Sequence, residues 1–198
     1  MPASWAVRWP TLGFFLLGVA GAAGADRERP PVPELNAKVV EFARSHLGEP
    51  VGDGICITLA VEALRAAGAK RWPLGDPAGE YRWGEPVADL KDVLPGDILQ
   101  FRDATFAGSR HAGKNRRVTW RDSYPHHTAI VAANAENGRL ITIYHQNVQG
   151  PDVDPARVGH VREAILRMNS MQPGGQVHAF RPVPAPAEGR EGRFAPGR

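Results

Sequence analysis

Apolar residues recur with a helical period just after the proline-rich stretch "DRERPPVPEL". Those that share one helical face are Val39, Val40, Phe42, Ala43 and Leu47. This spacing predicts an amphipathic helix. Asn36 is a suitable N-terminal cap for it, and Gly48 a suitable stop.

A second helical pattern follows the glycine-rich turn "EPVGDG". The apolar positions of "CITLAVEALRAAG" lie on one face: Leu59, Ala60, Ala63, Leu64 and Ala67. Gly68 is placed to end the helix. The pattern therefore puts Cys56 at or next to the N-terminus of a tightly packing helix.

Beyond about residue 95 the pattern changes to that of strands. The turn "LPGD" leads into a short strand, Ile98 to Phe101. "HTAIVAANAENGRLITIYHQN" predicts a β-hairpin joined near Asn137-Gly138, and "QVHAFRPV" predicts a last strand. Helices followed by turn-linked strands indicate an α+β fold with N-terminal helices packed on an antiparallel sheet.

Three segments fit this scheme less well. Lys70 to Asp92 holds aromatic residues among prolines and glycines, and we expect it to be irregular. Residues 103–122 are polar and rich in arginine, which predicts a loop able to steer an anionic substrate, or else a solvated insertion without a partner. A weaker helix is predicted from Asp154 or Val158 to Met168.

The N-terminus has the pattern of a secretory signal. Arg8 precedes an apolar run from Leu12 to Ala23, and Ala23-Gly24-Ala25 forms an A-x-A cleavage site. The run is short for a membrane span, although an uncleaved anchor is the alternative. We expect a secreted or periplasmic protein without stable membrane association after cleavage.

These features divide the chain into four parts. We expect a signal peptide over residues 1–25, a proline-rich leader over 26–35, one domain over 36–183 and a disordered tail over 184–198. The apolar fraction, 42% of the 198 residues, suits one globular domain, which we expect to be a monomer. A net charge of +3 is too small to indicate nucleic-acid binding.

Cys56 is the only cysteine, so it cannot form an internal disulfide after export. It is either an inert buried thiol or a free reactive one. The positive end of a helix lowers a thiol pKa, and the exposed amide of Cys56 can donate to a developing oxyanion. Both effects favour a nucleophile.

Three of the seven histidines lie on the predicted hairpin, His126 and His127 at its start and His145 at its end. Paired strands bring His127 and His145 to the same end of the sheet. Adjacent strand residues face opposite ways, so at most one of His126 and His127 can be a catalytic base. A zinc site from all three is a competing hypothesis, weakened because the adjacent pair diverges and no carboxylate ligand is evident nearby. The other four histidines are more typical of structural or solvated positions: His46, His111, His160 and His178.

The order "GDGICITLAVEALRAAGA", "LPGDILQF", "HHTAIV" and "LITIYHQNVQG" resembles the cysteine, histidine-dependent amidohydrolase/peptidase (CHAP) family, and more distantly NlpC-type peptidases of the papain-like superfamily. The resemblance spans about residues 37–183. It implies a papain-like fold with Cys56 as nucleophile and His127 as base. His145 falls on the orienting position, where glutamate is common in the family, and Asn147 matches an asparagine two places further on.

This resemblance and the residue chemistry agree on one function. We expect an exported cysteine amidohydrolase or peptidase, without a cofactor, that cleaves amide bonds in peptidoglycan or another peptide substrate. His145 or Asn147 would hold the His127 ring in its useful tautomer. The alternative is a non-catalytic wall-binding or interaction module on the same fold.

Overall fold

The structure is a computed structural model that describes residues 30–70, 81–113, 116–150 and 153–186. It divides the chain into two units, residues 1–30 and 31–198, and the helices and strands of the described residues belong to the second. The predicted signal peptide, residues 26–29 of the leader and residues 187–198 of the tail lie outside the described residues. Residues 71–80 of the segment expected to be irregular lie outside them too.

Two helices open the described chain. Helix α1 spans Glu34–Ser45 and helix α2 spans Cys56–Ala67, which Gly68 ends in the left-handed conformation at φ 76°. Within the described ranges, neither helix nor any other is long and apolar enough to cross a membrane. The sequence thus predicted both helices and the position of Cys56 correctly.

The role predicted for Asn36 is wrong. Helix α1 begins two residues earlier, at Glu34, and the Asn36 side chain is fully buried. Its amide donates to Pro95 O at 3.1 Å and to Asp97 Oδ1 at 2.7 Å. A polar residue near the start of a helix often caps it. The Asn36 side chain instead donates a hydrogen bond to the buried carboxylate of Asp97.

Among the described residues, six strands form one antiparallel sheet in the order β1-β6-β2-β3-β4-β5. They are β1 Glu85–Val87, β2 Ile98–His111, β3 Arg117–Ala135, β4 Leu140–His145, β5 Arg162–Arg167 and β6 Gln176–Arg181. The predicted α+β class, with helices packed on an antiparallel sheet, is confirmed.

The loop predicted over residues 103–122 is wrong, because most of it belongs to a long hairpin of β2 and β3. Exposed polar side chains pair across these strands, as where Arg117 donates to Ser109 Oγ at 2.8 Å and Thr105 lies 3.2 Å from Ser123. Ladder hydrogen bonds satisfy a backbone whatever the polarity of its side chains. Much of the hairpin is exposed to solvent and its side chains are polar. A prediction based on apolar periodicity therefore could not detect these strands.

The helix predicted to end at Met168 is also wrong. Strand β5 occupies this stretch and pairs with β4. Ala164 and Leu166 pack into a core while Glu163 and Ile165 are exposed, an alternation of period two rather than a helical one. The short strand β1 likewise falls in the segment expected to be irregular.

The sheet has a hydrophobic core on each face. The core that contains the helices includes Leu59, Ala63, Ile98, Ile130 and Tyr144. The core on the opposite face includes Leu99, Phe101, Ala129, Val131 and Ile143. Strand alternation therefore assigns Thr128 to the helix face and His127 to the opposite one.

Asp97 joins helix α1 to the sheet. Its fully buried carboxylate accepts hydrogen bonds from Asn36, from the Leu94 amide at 2.8 Å and from Arg181 of β6 at 2.9 and 3.1 Å. A buried carboxylate is tolerated only when donors surround it. This cluster fixes α1 and β6 against the turn that starts β2.

We predict that Asp97→Ala lowers the free energy of unfolding by about 2 to 4 kcal/mol, because it leaves the buried Asn36 amide and Leu94 N–H without their acceptor. Urea denaturation measures this change. Glu49→Ala, at an exposed position, is the control and should change stability by less than about 0.5 kcal/mol. Equal effects of both variants would contradict the role of Asp97.

Candidate active site

Cys56 is the first residue of α2, with its side chain 8% exposed. Burial raises the pKa of its thiol above the ordinary value, and nearby Asp53 raises it further. The backbone amides of Thr128, Ile57 and Cys56 itself lower the pKa but do not offset burial. The start of the helix thus lowers this thiol pKa as expected, but burial outweighs that effect and the net shift is upward. The thiol is protonated at neutral pH, so its attack on a substrate requires a base.

Gln146 holds the loop before Cys56 against the sheet. Its side chain is fully buried and bonds the backbone of Val51 twice, accepting from N at 3.1 Å and donating to O at 3.0 Å. The same amide donates to Ile55 O at 2.7 Å. The residue directly before Cys56 is thus fixed to the residue that follows β4.

Two further contacts shape this loop. Asp53 Oδ1 accepts from the Ile55 amide at 3.1 Å and from the Thr58 hydroxyl at 2.7 Å, across the start of α2. Gly54, at φ 78°, passes so close to Gly159 that an added Cβ would lie 3.0 Å from its Cα. Glycine is required at position 54 both for the backbone angle and for this approach.

His127 and His145 form a buried pair on the face of the sheet opposite the helices. His127 Nε2 lies 3.1 Å from His145 Nδ1. His127 is 6% exposed and His145 is 1% exposed. Tyr124 stacks on the His127 ring with centroids 5.1 Å apart. His126 is exposed and contacts Tyr81 instead. The expected divergence of the adjacent histidines is confirmed.

Burial controls the charge of this pair. Desolvation lowers the pKa of His127 to about 4, with a smaller contribution from His126. Desolvation also lowers the pKa of His145 to about 3, with contributions from His127 and Arg162. Both rings are neutral at pH 7. If His127 donates from Nε2 to His145, its Nδ1 keeps a lone pair that can accept a proton, and this atom has no hydrogen-bond partner among the described residues.

The thiol lies beside the peptide group that links His127 to Thr128. The thiol contacts the backbone amide of Thr128. Thr128 lies on β3 beyond the last residue that pairs with β4, because β4 ends at His145. The described residues include no hydrogen bond between the Cys56 thiol and the His127 ring. The structure thus brings the Cys56 thiol to the backbone between His127 and Thr128, and it places the His145 ring against the His127 ring on the opposite face of the sheet.

Asn147, the other candidate for the orienting role, lies elsewhere. It is exposed, has a left-handed backbone at φ 60°, and its side chain forms no hydrogen bond within the described residues. His145 is therefore the candidate that the structure pairs with His127.

The hypothetical zinc site does not form from its three histidines, since His126 faces away from His127 and His145. In the part of the chain that the structure describes, no three His, Cys, Asp or Glu side chains are placed to share a metal ion.

Two histidines outside the hairpin have no place in the candidate site. The His46 ring lies 2.8 Å from Phe42 O at the end of α1, and His178 is exposed on β6.

Sequence reasoning missed Gln146, although it singled out the residues on both sides. It also missed Gln100, which accepts from Thr128 Oγ1 at 2.9 Å and from Trp83 Nε1 at 3.0 Å. Strand alternation could have indicated Gln146. Successive strand residues face opposite sides of the sheet, so Thr128 and Gln146 lie on the helix face while His127 and His145 lie on the other.

A family model described as the AIM3/BBC1 cysteine proteinase-fold domain matches residues 34–191. The chain belongs to this family. The match supports the papain-like fold and does not single out the CHAP family within it. Comparisons with curated proteins and with solved structures gave no match. For an AIM3/BBC1 cysteine proteinase-fold domain the name describes a fold, so activity has to be argued from the site.

We predict that Gln146→Ala destabilises this AIM3/BBC1-type domain by about 2 to 4 kcal/mol, because two buried backbone groups of Val51 and the part-buried Ile55 carbonyl lose their partner. Release of the loop should also expose the thiol and speed its alkylation by iodoacetamide. Urea denaturation and mass spectrometry measure the two effects. Gln149→Ala, at an exposed position, should change neither, and unchanged alkylation in Gln146→Ala would contradict the restraint.

Stability should also fall with acidification. The pKa values of His127 and His145 are lower in the folded state than in the unfolded state, so the unfolded chain binds more protons below about pH 6.5. Stability is complete above that pH and is lost toward pH 4, by about 1.4 kcal/mol per pH unit for each histidine. Denaturation between pH 7.5 and pH 4.5 measures the slope. His127→Gln should flatten it and His126→Gln should not; an equal slope in both would refute the assignment.

Proposed function

We propose that this chain is an exported cysteine amidohydrolase or peptidase that hydrolyses amide bonds, with peptidoglycan peptides as its substrate class. The observations that carry the proposal are the 3.1 Å contact between His127 Nε2 and His145 Nδ1 and the contact of the Cys56 thiol with the Thr128 amide, one residue along β3. A nucleophile, a base and a group that orients the base are the parts of such a mechanism.

The neutral resting state fits general-base activation. As the Cys56 sulfur attacks the carbonyl carbon, the thiol proton passes to His127 Nδ1 and the carbonyl oxygen becomes an oxyanion. The His127 imidazolium then protonates the leaving amine as the C–N bond breaks, which leaves a thioester. Water, deprotonated by His127, hydrolyses the thioester and restores the thiol.

Other groups support these steps. The first amides of α2, those of Cys56 and Ile57, have no intrahelical acceptor and can donate to the oxyanion. His145 holds the His127 proton on Nε2, which keeps Nδ1 available. Neutral His127 is the competent form, so activity should be lost only as the pH falls toward about 4.

Export and the wall substrate rest on the sequence. The apolar run from Leu12 to Ala23 and the Ala23-Gly24-Ala25 site support secretion, and a secreted amidase has the cell wall as an accessible amide polymer. N-terminal sequencing of the mature protein tests the cleavage after Ala25.

A second candidate function is a non-catalytic binding module on the same fold. The observation in its favour is the buried thiol, only 8% exposed and with a raised pKa. Such a module would bind wall polymer equally well without Cys56, and its thiol would react with iodoacetamide as an ordinary buried thiol does.

The hydrolase proposal predicts that Cys56→Ala abolishes release of amines from purified peptidoglycan. His127→Gln should lower kcat/KM at least about a thousandfold, since removal of a base costs that order. His126→Gln, on the other face of the strand, is the matched control and should retain activity. Hydrolysis that persists in Cys56→Ala would refute the mechanism, and wall binding without hydrolysis in the wild-type protein would favour the binding module.

A further inference from the structure

The outer half of the β2–β3 hairpin, which we term the ribbon, comprises residues 104–111 of β2 and 117–124 of β3. At its base Asp103 has a left-handed backbone at φ 49°, and the strand pairing omits it. Phe101 and Ala104, on either side of this break, both belong to the core opposite the helices although they lie three positions apart. The alternation of faces therefore shifts by one residue where the ribbon begins.

The inner face of the ribbon covers the core opposite the helices. Phe106 and Tyr124 of this face belong to that core. Nearer the tip, the Trp120 ring lies so close to Gly108 that it leaves no room for a Cβ there. The guanidinium of Arg167, the last residue of β5, lies 5.1 Å from the centre of the Trp120 ring. The ribbon is thus held to the body of the domain through its inner face, and its outer face is turned to solvent.

The outer face carries cations and hydroxyl groups. The residues that share it form four cross-strand pairs: His111 and Arg117, Ser109 and Thr119, Ala107 and Arg121, and Thr105 and Ser123. The hydrogen bond from Arg117 to Ser109 Oγ, at 2.8 Å, joins neighbouring pairs along this face. Arg117 and Arg121 are exposed, and neither forms an ion pair within the described residues. Their charges are therefore open to a partner.

The charge of the outer face has one sign. Asp122 is the single acidic residue between Ala104 and Tyr124, and it belongs to the inner face, since it pairs with Phe106 and lies near Arg167. No carboxylate on the outer face therefore competes for the two arginines. A surface of one sign attracts partners of the opposite charge, so the partner is an anion.

The dimensions and composition of the face select the kind of anion. Arg117 and Arg121 are four residues apart on one strand, about 13 Å, and the ribbon is only two strands wide, about 5 Å between strands. One extended chain can therefore contact both arginines. The face carries no aromatic side chain on which bases could stack, and no large apolar side chain that could enter a membrane. Arginine with serine and threonine hydroxyls is a donor set suited to phosphate oxygens.

We propose that the outer face of the ribbon docks a linear phosphate-bearing polymer, with Arg117 and Arg121 as its main partners and the neighbouring hydroxyls as further donors. The docking face lies on the far side of the core opposite the helices, so it acts separately from the chemistry of Cys56. The inference goes beyond the proposed hydrolase and does not rest on it. It gives the arginine-rich stretch an anchoring role rather than that of steering a substrate to the thiol.

The test titrates fluorescently labelled inorganic polyphosphate with the full-chain protein and follows anisotropy at several salt concentrations. The logarithm of the binding constant should fall linearly with the logarithm of salt concentration. The double variant Arg117→Gln/Arg121→Gln should bind at least about tenfold more weakly at low salt and show a flatter salt dependence. Its thermal unfolding should be unchanged, because both positions are exposed. Arg157→Gln, at an exposed arginine outside the ribbon, is the control and should weaken binding less than about twofold.

Two comparisons test the partner and its independence from the thiol. Polyglutamate of matched charge should bind at least about threefold more weakly than polyphosphate, because one guanidinium occupies both oxygens of a planar carboxylate. Cys56→Ala should bind polyphosphate as the wild-type protein does.

Several results would overturn the proposal. Absence of polyphosphate binding, or an equal loss in Arg157→Gln, would show that the ribbon is not a docking face. Equal binding of polyglutamate would refute the preference for phosphate. Tighter binding of a single-stranded oligonucleotide or of phosphatidylglycerol vesicles than of polyphosphate would refute the linear polymer as partner. Loss of binding in Cys56→Ala would refute the separation from the thiol.

Discussion

The three hydrogen bonds of the Gln146 side chain are the constraint on which the site depends. They join the backbone on both sides of the glycine-rich turn to the end of β4. Cys56 follows that turn directly and His145 precedes Gln146 directly, so one side chain links the helix that carries the thiol to the strand that carries His145.

Burial then decides the chemistry available at the site. A helix terminus stabilises a thiolate, but desolvation acts against it and prevails at Cys56, which raises the thiol pKa. The same desolvation holds His127 and His145 neutral. The thiol and both imidazoles are therefore uncharged at pH 7. Cys56, His127 and His145 are buried and held in place, which is compatible with catalysis. The burial of the thiol is also why a non-catalytic binding module is the alternative to a hydrolase.

The sheet separates the parts of the site by face. Thr128, Gln146 and Gln100 lie toward the helices, and the histidine pair lies in the other core. The Cys56 thiol contacts the backbone amide of Thr128. This amide belongs to the peptide group that joins His127, on one face of the sheet, to Thr128, on the other.

The sequence by itself determined the two helices, the position of Cys56 at the start of the second, the hairpin that carries the histidines and the divergence of His126 from His127. These follow from local rules, namely helical spacing, glycine stops and strand alternation. Local rules also led to error where polarity hid a strand, as in residues 103–122, and where a short apolar pattern suited a helix as well as β5. Only the tertiary structure decided that His145 rather than Asn147 contacts His127, that Asn36 serves Asp97, and that Gln146 restrains the turn before Cys56. Each of these depends on which distant backbone group a buried polar side chain meets, and spacing along the chain carries no record of that.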